Sequence, residues 1–584
     1  MIEISRITNQ RYSIPLLICG SIIIGMFLRK PFDALYSPIK QEAAFIATQS
    51  SLPNTLATLL EKGEQYLQEK QLPQATQNFK EILSAHPAIL DSFIRLGSLA
   101  FQEERYEAAV TYFRTALTIE PKMVSTYMRL GLALHRMKEY EKAAHAFNIV
   151  IQSAPSYAEA YLQLERVLMD SDKLDEAVII GQKGIELAPQ DIHAYLNLGH
   201  IYNKRGDTDL AIEMYKKALT IDNDFANANY NLGYTLRLVG KLHEAIPYLK
   251  KALALQPYYP DAHIALAQAY WSLNDFKEAW KHYYYRWQLH GVDPEKLGAP
   301  LWDGSDLTGK TILLYAEQGF GDTLQFIRFA KEVKKRGARI VCKVQDALTT
   351  LLSSYPYIDT LTGKEPITEQ IDAQAALMSI PGIINVTPET IPAEIPYLKA
   401  DAKLVAQWKR KLAHDNNLKV GICWSVDPQH ELTKSPLSLR TFPLKAFAAL
   451  ATIPGVSFYS LQKTHDSHEF REKPASFVVN TFNPDFDETH GRFMDTAALI
   501  ENLDVVISVD TAVIHIAGAL GKPVWVLLPV SPDCRWYFEG KNTPWYPTMR
   551  MFRQTKTNDF ETPMLSIKKE LAQLAHNKKV KTTA

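Results

Sequence analysis

The sequence is poor in cysteine and has no excess of charge of either sign. Its 584 residues carry 64 Lys and Arg against 64 Asp and Glu, so no basic field marks it for nucleic acid, and no nucleic-acid partner is expected. The four cysteines, Cys19, Cys342, Cys423 and Cys534, include no C-x-x-C pair. That spacing argues against a zinc site or a disulfide framework, and a reducing compartment suits it better. Long apolar runs are scarce as well. "SIPLLICGSIIIGMFL", Ser13 to Leu28, has 16 residues, just below the roughly 17–25 that span a bilayer. Arg6 and Arg11 precede it and Arg29 and Lys30 follow, a symmetric flanking that leaves orientation open. No A-x-A-like cleavage site follows, so an uncleaved anchor within residues 1–50 is expected, with a signal peptide and a buried helix as the alternatives.

What is present is globular. The 46% hydrophobic and 22% charged composition is that of folded protein, and the length exceeds one ordinary core, so two to four domains are expected. Prolines at Pro87, Pro121, Pro155, Pro189 and Pro257 keep a 34-residue spacing, with Asn223 in the single gap. Alanines from Ala75 through Ala109, Ala143, Ala177, Ala211 and Ala245 to Ala279 share the period. So do Gly63, Gly97, Gly131, Gly199 and Gly233, with Glu165 and Ala267 as exceptions. Each unit carries two helical apolar periodicities parted by a polar turn, and small residues mark where the two helices must approach closely. Seven helix-pair units are expected between residues 56 and 288. A solenoid of this kind binds an extended peptide or partner, or serves as a spacer or dimerisation arm.

After Gln288 the period stops. A Gly/Pro-containing linker, residues 289–309, leads into alternating strands and helices, the pattern of parallel sheets with right-handed crossovers. "TILLYA", "RIVCKV", "KVGICW", "VSFYSLQ", "DVVISV" and "PVWVLL" read as strands, and "DTLQFIRFAKEVKKRG", Asp322 to Gly337, as one amphipathic helix. Two Rossmann-like units follow, residues 310–400 and 401–575, and clefts between such units hold ligands at strand C-termini.

Two constellations stand at such ends. In "ISVDTAVIHIAGALG", Asp510 closes a strand, Thr511 or Asp510 can cap the next helix, and Thr511 and His515 share a face of its first turn. That helix N-terminus suits a diphosphate. The alternative is a capping Thr and a satisfied core His. In "AEQGFGDTLQF", Gln318, Gly319 and Gly321 form the turn after the first strand, where they are expected to bind substrate, and Asp322 starts the next helix. Asp322 is either a helix cap or a rim carboxylate able to take a proton from an acceptor hydroxyl, and as part of the first unit it is expected across the cleft from Thr511 and His515.

The repeats, with L-G in the first helix and Ala109, Phe113, Ala116 and Pro121 in and after the second, resemble the tetratricopeptide repeat. With "LYAEQGFGDTLQFIRFAKEVKKRG", "SLQK", "FMDTAALIENLDVVISVDTAVIHIAGALGKPVWVLLP" and "WYPTMRMFRQ", the chain from Leu56 onward resembles bacterial tetratricopeptide-repeat glycosyltransferases. Their C-terminal domain is similar to the heptosyltransferase family, with its two-Rossmann GT-B fold, and the domain order resembles that of the O-GlcNAc transferases. The resemblance implies a general base at Asp322, a diphosphate contact from Lys463, and phosphate binding by Asp510, Thr511 and His515. It implies no metal and no cofactor beyond the nucleotide-sugar co-substrate, with a protein or glycan acceptor held by the repeats. A nucleotide-sugar enzyme is expected to keep its catalytic domain in the cytoplasm, anchored to the inner membrane if residues 13–28 insert. Cys534 replaces a bulky aromatic of the family pattern and Thr464 a glycine, so a non-catalytic repeat adaptor with a degenerate transferase domain is the second reading.

Overall fold

The computed structural model describes residues 89–289 and 298–583, apart from 428–434, 464–469 and 471–472, with a few single positions between 62 and 81. The apolar segment Ser13 to Leu28, the first repeat unit and Thr464 therefore lie outside the described residues, save for those single positions of the first repeat. Among the described residues, no helix is long and apolar enough to cross a membrane.

From Ile89 the helices come in pairs: α1 (Ile89–Gln102) and α2 (Tyr106–Ile119), α3 (Val124–Arg136) and α4 (Tyr140–Ser153), α5 (Ala158–Asp170) and α6 (Leu174–Leu187). The series continues with α7 (Ile192–Arg205) and α8 (Thr208–Ile221), α9 (Ala226–Leu238) and α10 (Leu242–Leu255), α11 (Pro260–Ser272) and α12 (Phe276–Tyr283). The chain divides into two compact units at Asn223/Asp224, so α1–α8 belong to one and α9–α12 share the other with the α/β region.

The glycine period has a steric cause. A Cβ at Gly131 would lie 2.6 Å from Cε1 of Phe147, so the missing side chain lets α3 and α4 meet over a buried ring. A second period, not visible in residue type, sets the turn inside each pair. Glu104, Lys138, Asp172, Gly206, Gly240 and Asn274, again 34 apart, all take positive φ. Glycine fills only two of those six positions, so the left-handed turn is imposed by packing on either side rather than by local preference.

The α/β region contains two sheets. The first has strand order β3-β2-β1-β4, all parallel, with β1 (Thr311–Tyr315), β2 (Arg339–Lys343), β3 (Thr360–Thr362) and β4 (Ala373–Ala376). The second is β10-β11-β9-β8-β5-β6-β7, built from β5 (Leu418–Cys423), β6 (Val456–Ser460), β7 (Val479–Asn480), β8 (Val505–Val509), β9 (Val524–Leu528), β10 (Asn542–Thr543) and β11 (Tyr546–Arg553). Only β10 runs antiparallel, to β11. β8 and β9 are buried at every residue, which is why they read as unbroken apolar runs. Their core includes Trp424, Phe442, Phe458, Ile507 and Leu527, closed by Met564, Ile567 and Leu571 of the C-terminal helix Glu561–Thr583.

Two expectations are corrected. Residues 298–309 are not a free linker: Leu301 bridges to Gln374, the Trp302 N–H donates to the Gln374 carbonyl at 2.8 Å, and Trp302 and Leu307 are buried. The single amphipathic helix read from Asp322 to Gly337 is three pieces: α13 (Phe320–Phe326), a 3₁₀ turn Ile327–Phe329 and a helix Ala330–Lys334.

Candidate active site

The fully buried β8 ends at Val509, and Asp510 and Thr511 lead into α14 (Ala512–Ala519). Thr511 is the residue before the first turn, extended at φ −134°, yet its side chain caps no helix N–H. Its hydroxyl lies instead 3.3 Å from Ser508 Oγ and 3.8 Å from Cys423 Sγ. Burial pushes the Cys423 thiol up to about 11, so it stands there as a neutral group.

Asp510 and His515 are both buried. The Trp536 indole N–H donates to Asp510 Oδ2 at 2.9 Å, and His515 Nε2 lies 3.8 Å from Oδ1. Burial alone would raise the Asp510 carboxyl, but the neighbouring imidazole and the charges of Arg440 and Arg535 outweigh it and hold the carboxyl well below the usual range. For His515 burial wins: the ring is held below its ordinary value despite Asp510, and Nδ1 lies 3.0 Å from the Tyr546 hydroxyl.

The first sheet delivers Asp322 to the same place. After β1 the turn through Gln318 and Gly319 opens α13, where Asp322 Oδ2 accepts the Gly319 N–H at 3.0 Å. A Cβ at Gly321 would lie 2.7 Å from Cδ2 of His515. So α13 and α14 pack directly on each other, correcting the expectation that Asp322 and His515 face each other across a cleft. Arg535 joins the halves: it donates to Asp322 Oδ1 at 2.7 Å, to Gln325 Oε1 at 2.8 Å and to Asp533 Oδ1 at 2.8 Å. Arg535 is largely buried, and the three carboxylates of Asp533, Asp322 and Asp510 overcome that burial and keep it firmly protonated.

The other expected site residues are placed differently. The Gln318 amide donates to the Tyr283 hydroxyl of α12 at 3.2 Å, and its carbonyl accepts from Gln345 at 2.6 Å. Lys463 is paired with Glu488 on a half-exposed surface, and it makes no hydrogen bond or ion pair with Asp510, Thr511 or His515 among the described residues. Arg535, Trp536 and Tyr546 form the site's internal frame and were not singled out from the sequence. A local cue is that "PDCRWYF" sets a cation and a carboxylate, Arg535 and Asp533, beside three aromatic residues.

Comparison with known proteins finds matches in both the repeats and the C-terminal region. A family model described as glycosyltransferase family 9 (heptosyltransferase) matches residues 491–564, the stretch holding Asp510, Thr511, His515, Arg535 and Tyr546. Tetratricopeptide-repeat models match residues 90–123, 128–192, 199–237 and 236–281. Protein FlbA of Caulobacter vibrioides (strain ATCC 19089 / CIP 103742 / CB 15) is 26% identical over 303 residues, 48% of this chain and 50% of that protein. The chain thus spans about half the length of that curated relative. Among solved structures, the crystal structure of MamA protein is 25% identical over 29% of this chain and 93% of its own, with a TM-score of 0.27. A thermophilic tetratricopeptide-repeat protein of Thermus thermophilus is 24% identical over 30% of this chain and 94% of its own, with a TM-score of 0.26. The chain therefore carries tetratricopeptide repeats followed by a C-terminal glycosyltransferase family 9 domain.

Proposed function

We propose that the chain is an inverting, metal-independent glycosyltransferase that moves a sugar from a nucleotide-sugar donor to a protein or glycan acceptor held by the repeats. The observation that carries this reading is the buried network Asp510–His515 and Arg535–Asp322, which joins the two sheets at the C-terminal ends of β8 and β1. Asp322 takes the proton of the acceptor hydroxyl, and the freed oxygen pair attacks the anomeric carbon from the face opposite the leaving group. The carbon–oxygen bond to the diphosphate breaks, and the departing charge is met by the Thr511 hydroxyl and the positive N-terminal end of α14; Lys463 joins them only by leaving Glu488. Arg535 links the two events: a diphosphate entering near Asp510 draws the guanidinium from Asp322 Oδ1 and frees that carboxylate for the acceptor. Because nucleotide sugars are made in the cytosol, the catalytic domain belongs there, with residues 13–28 as its attachment to the inner membrane.

A second reading has its own support. Both Asp322 oxygens are engaged, by Gly319 and Arg535, and the His515 ring is buried against Tyr546 and Asp510, as in a repeat adaptor whose transferase domain has become structural. Calorimetric titration with nucleoside diphosphates, followed by turnover of the cognate nucleotide sugar, separates the two. Under the enzymatic reading, Asp322→Asn keeps diphosphate affinity and loses turnover by about a hundredfold or more. Turnover near wild type in a folded variant would reduce Asp322 to a helix cap. Absence of nucleotide binding in the wild type would favour the adaptor.

A further inference from the structure

A cavity of about 390 Å³ opens within the unit formed by residues 224–584. The repeat helices α9 and α11 wall one side, with Tyr234, Arg237 and Asp261, and the loops after strands of the second sheet supply Arg440, Asp510 and Ser531 on the other. Arg237 is only 8% exposed. Its Nε has no hydrogen-bond partner, and no carboxylate is paired with it among the described residues; its guanidinium lies over the Tyr234 ring at 5.0 Å. A buried guanidinium without a counter-charge is costly to the fold. Ser531 shares this condition, with a buried and unpartnered hydroxyl in the same wall.

The carboxylates nearby do not fill the gap. Asp510 accepts from Trp536, and Asp533, also on the wall, is taken up by Arg535. Asp261, whose carboxyl burial raises above its ordinary value, forms no ion pair with Arg237 among the described residues. Arg440 donates to the Asp510 carbonyl at 3.3 Å, which brings a second guanidinium to the same wall. We infer that this cavity is an oxyanion subsite, in which Arg237 of the repeats, with Ser531 and Arg440 of the α/β region, binds a phosphate or carboxylate group. The repeats then contribute directly to the ligand site instead of only tethering an acceptor. The inference rests on the glycosyltransferase reading only for the ligand's origin, a donor diphosphate or an acidic group on the acceptor.

The test titrates the full chain calorimetrically with pyrophosphate and, separately, with succinate, and records melting of the ligand-free protein. The expected result is that at least one probe binds the wild type and that Arg237→Gln weakens it tenfold or more. The ligand-free variant should melt no earlier than wild type, since a buried unpaired charge has been removed. Pyrophosphate as the sensitive probe identifies the donor diphosphate, and succinate an acidic acceptor group. If Arg237→Gln does not fold, Ser531→Ala carries the same expectation of weakened binding. Binding of neither probe to wild type, or unchanged affinity in the folded variants, overturns the subsite. A nucleoside diphosphate bound equally by wild type and Arg237→Gln would sink the subsite and leave the glycosyltransferase reading intact. Arg237-dependent pyrophosphate binding with no nucleoside diphosphate bound would do the reverse.

Discussion

At Glu165 the repeat breaks its own rule, and the residue opposite shows why. The position takes glycine in most units, facing a large side chain sixteen residues later, as Gly131 faces Phe147. In this unit the sizes are exchanged: Gly181 stands opposite, and a Cβ there would fall on the Glu165 carboxyl. The exchange buries a carboxyl, with neither oxygen accepting a hydrogen bond. Burial pushes its pKa well above the ordinary value, against the opposing effects of Asn197 and Arg166. The sign follows from linkage: the folded state holds this proton more tightly, so the group's contribution is intact below the unfolded value and is lost as pH rises toward the folded one. Glu165→Gln should therefore stabilise the protein at pH 7 by on the order of 1–2 kcal/mol and have little effect near pH 4. Thermal melts at the two pH values check this; equal shifts at both would show that the carboxyl is not the cause.

At the scale of elements, α11 and α12 are joined by two histidines. His263 Nε2 lies 3.1 Å from the Pro257 carbonyl and must donate to it, so the neutral ring accepts at Nδ1, where His282 Nδ1 donates at 2.8 Å. Burial, then the neighbouring His263 imidazole, which could not share a second positive charge, lowers His282 to about 4, while Glu278 opposes this and Lys250 and Lys281 add to it. The folded pair resists protonation that the unfolded chain accepts, so stability from this contact is present above the ordinary value of about 6.5 and is lost as pH falls toward 4. Between pH 6.5 and 5 the loss should be about 1 kcal/mol after allowance for solvent screening. His282→Asn should flatten the dependence of the urea midpoint on pH, and an unchanged slope would acquit the pair. The repeats were legible in the sequence because solenoid packing is local and recurs every 34 residues. Strands β1, β2, β5, β6, β8 and β9 were legible because buried parallel strands are short unbroken apolar runs, but their order in the sheets was not. The left-handed turns at Glu104, Lys138 and Asp172 were not, since packing overrides residue preference there. Nor was the partner of Asp322: Arg535 lies 213 residues away, and no local pattern reports a contact set by the docking of two sheets.

At the scale of the whole molecule, the two compact units can be told apart by where a mutation acts. Glu165 lies in the unit ending at Asn223 and Arg286 in the unit beginning at Asp224. Arg286 follows the last repeat and is buried; its Nε and Nη2 meet the two Glu317 oxygens at 2.5 and 3.0 Å, and Nη2 also donates to Ser379. Glu317 immediately precedes Gln318, itself bonded to Tyr283 of α12. The last helix pair is thus fixed to the turn that carries Asp322. Arg286→Met removes the cation and leaves Glu317 buried and unpaired, which should cost about 3–5 kcal/mol. Arg286→Met/Glu317→Met removes both charges and should recover most of that loss, because matched apolar replacement of a buried pair is often close to neutral. Urea unfolding of the full chain should show the loss in the transition of the 224–584 unit, with that of the other unit unmoved. A single variant as stable as wild type would mean that the ion pair does not hold this junction. A double variant no better than the single would mean that the Ser379 and backbone contacts of Arg286 hold it instead.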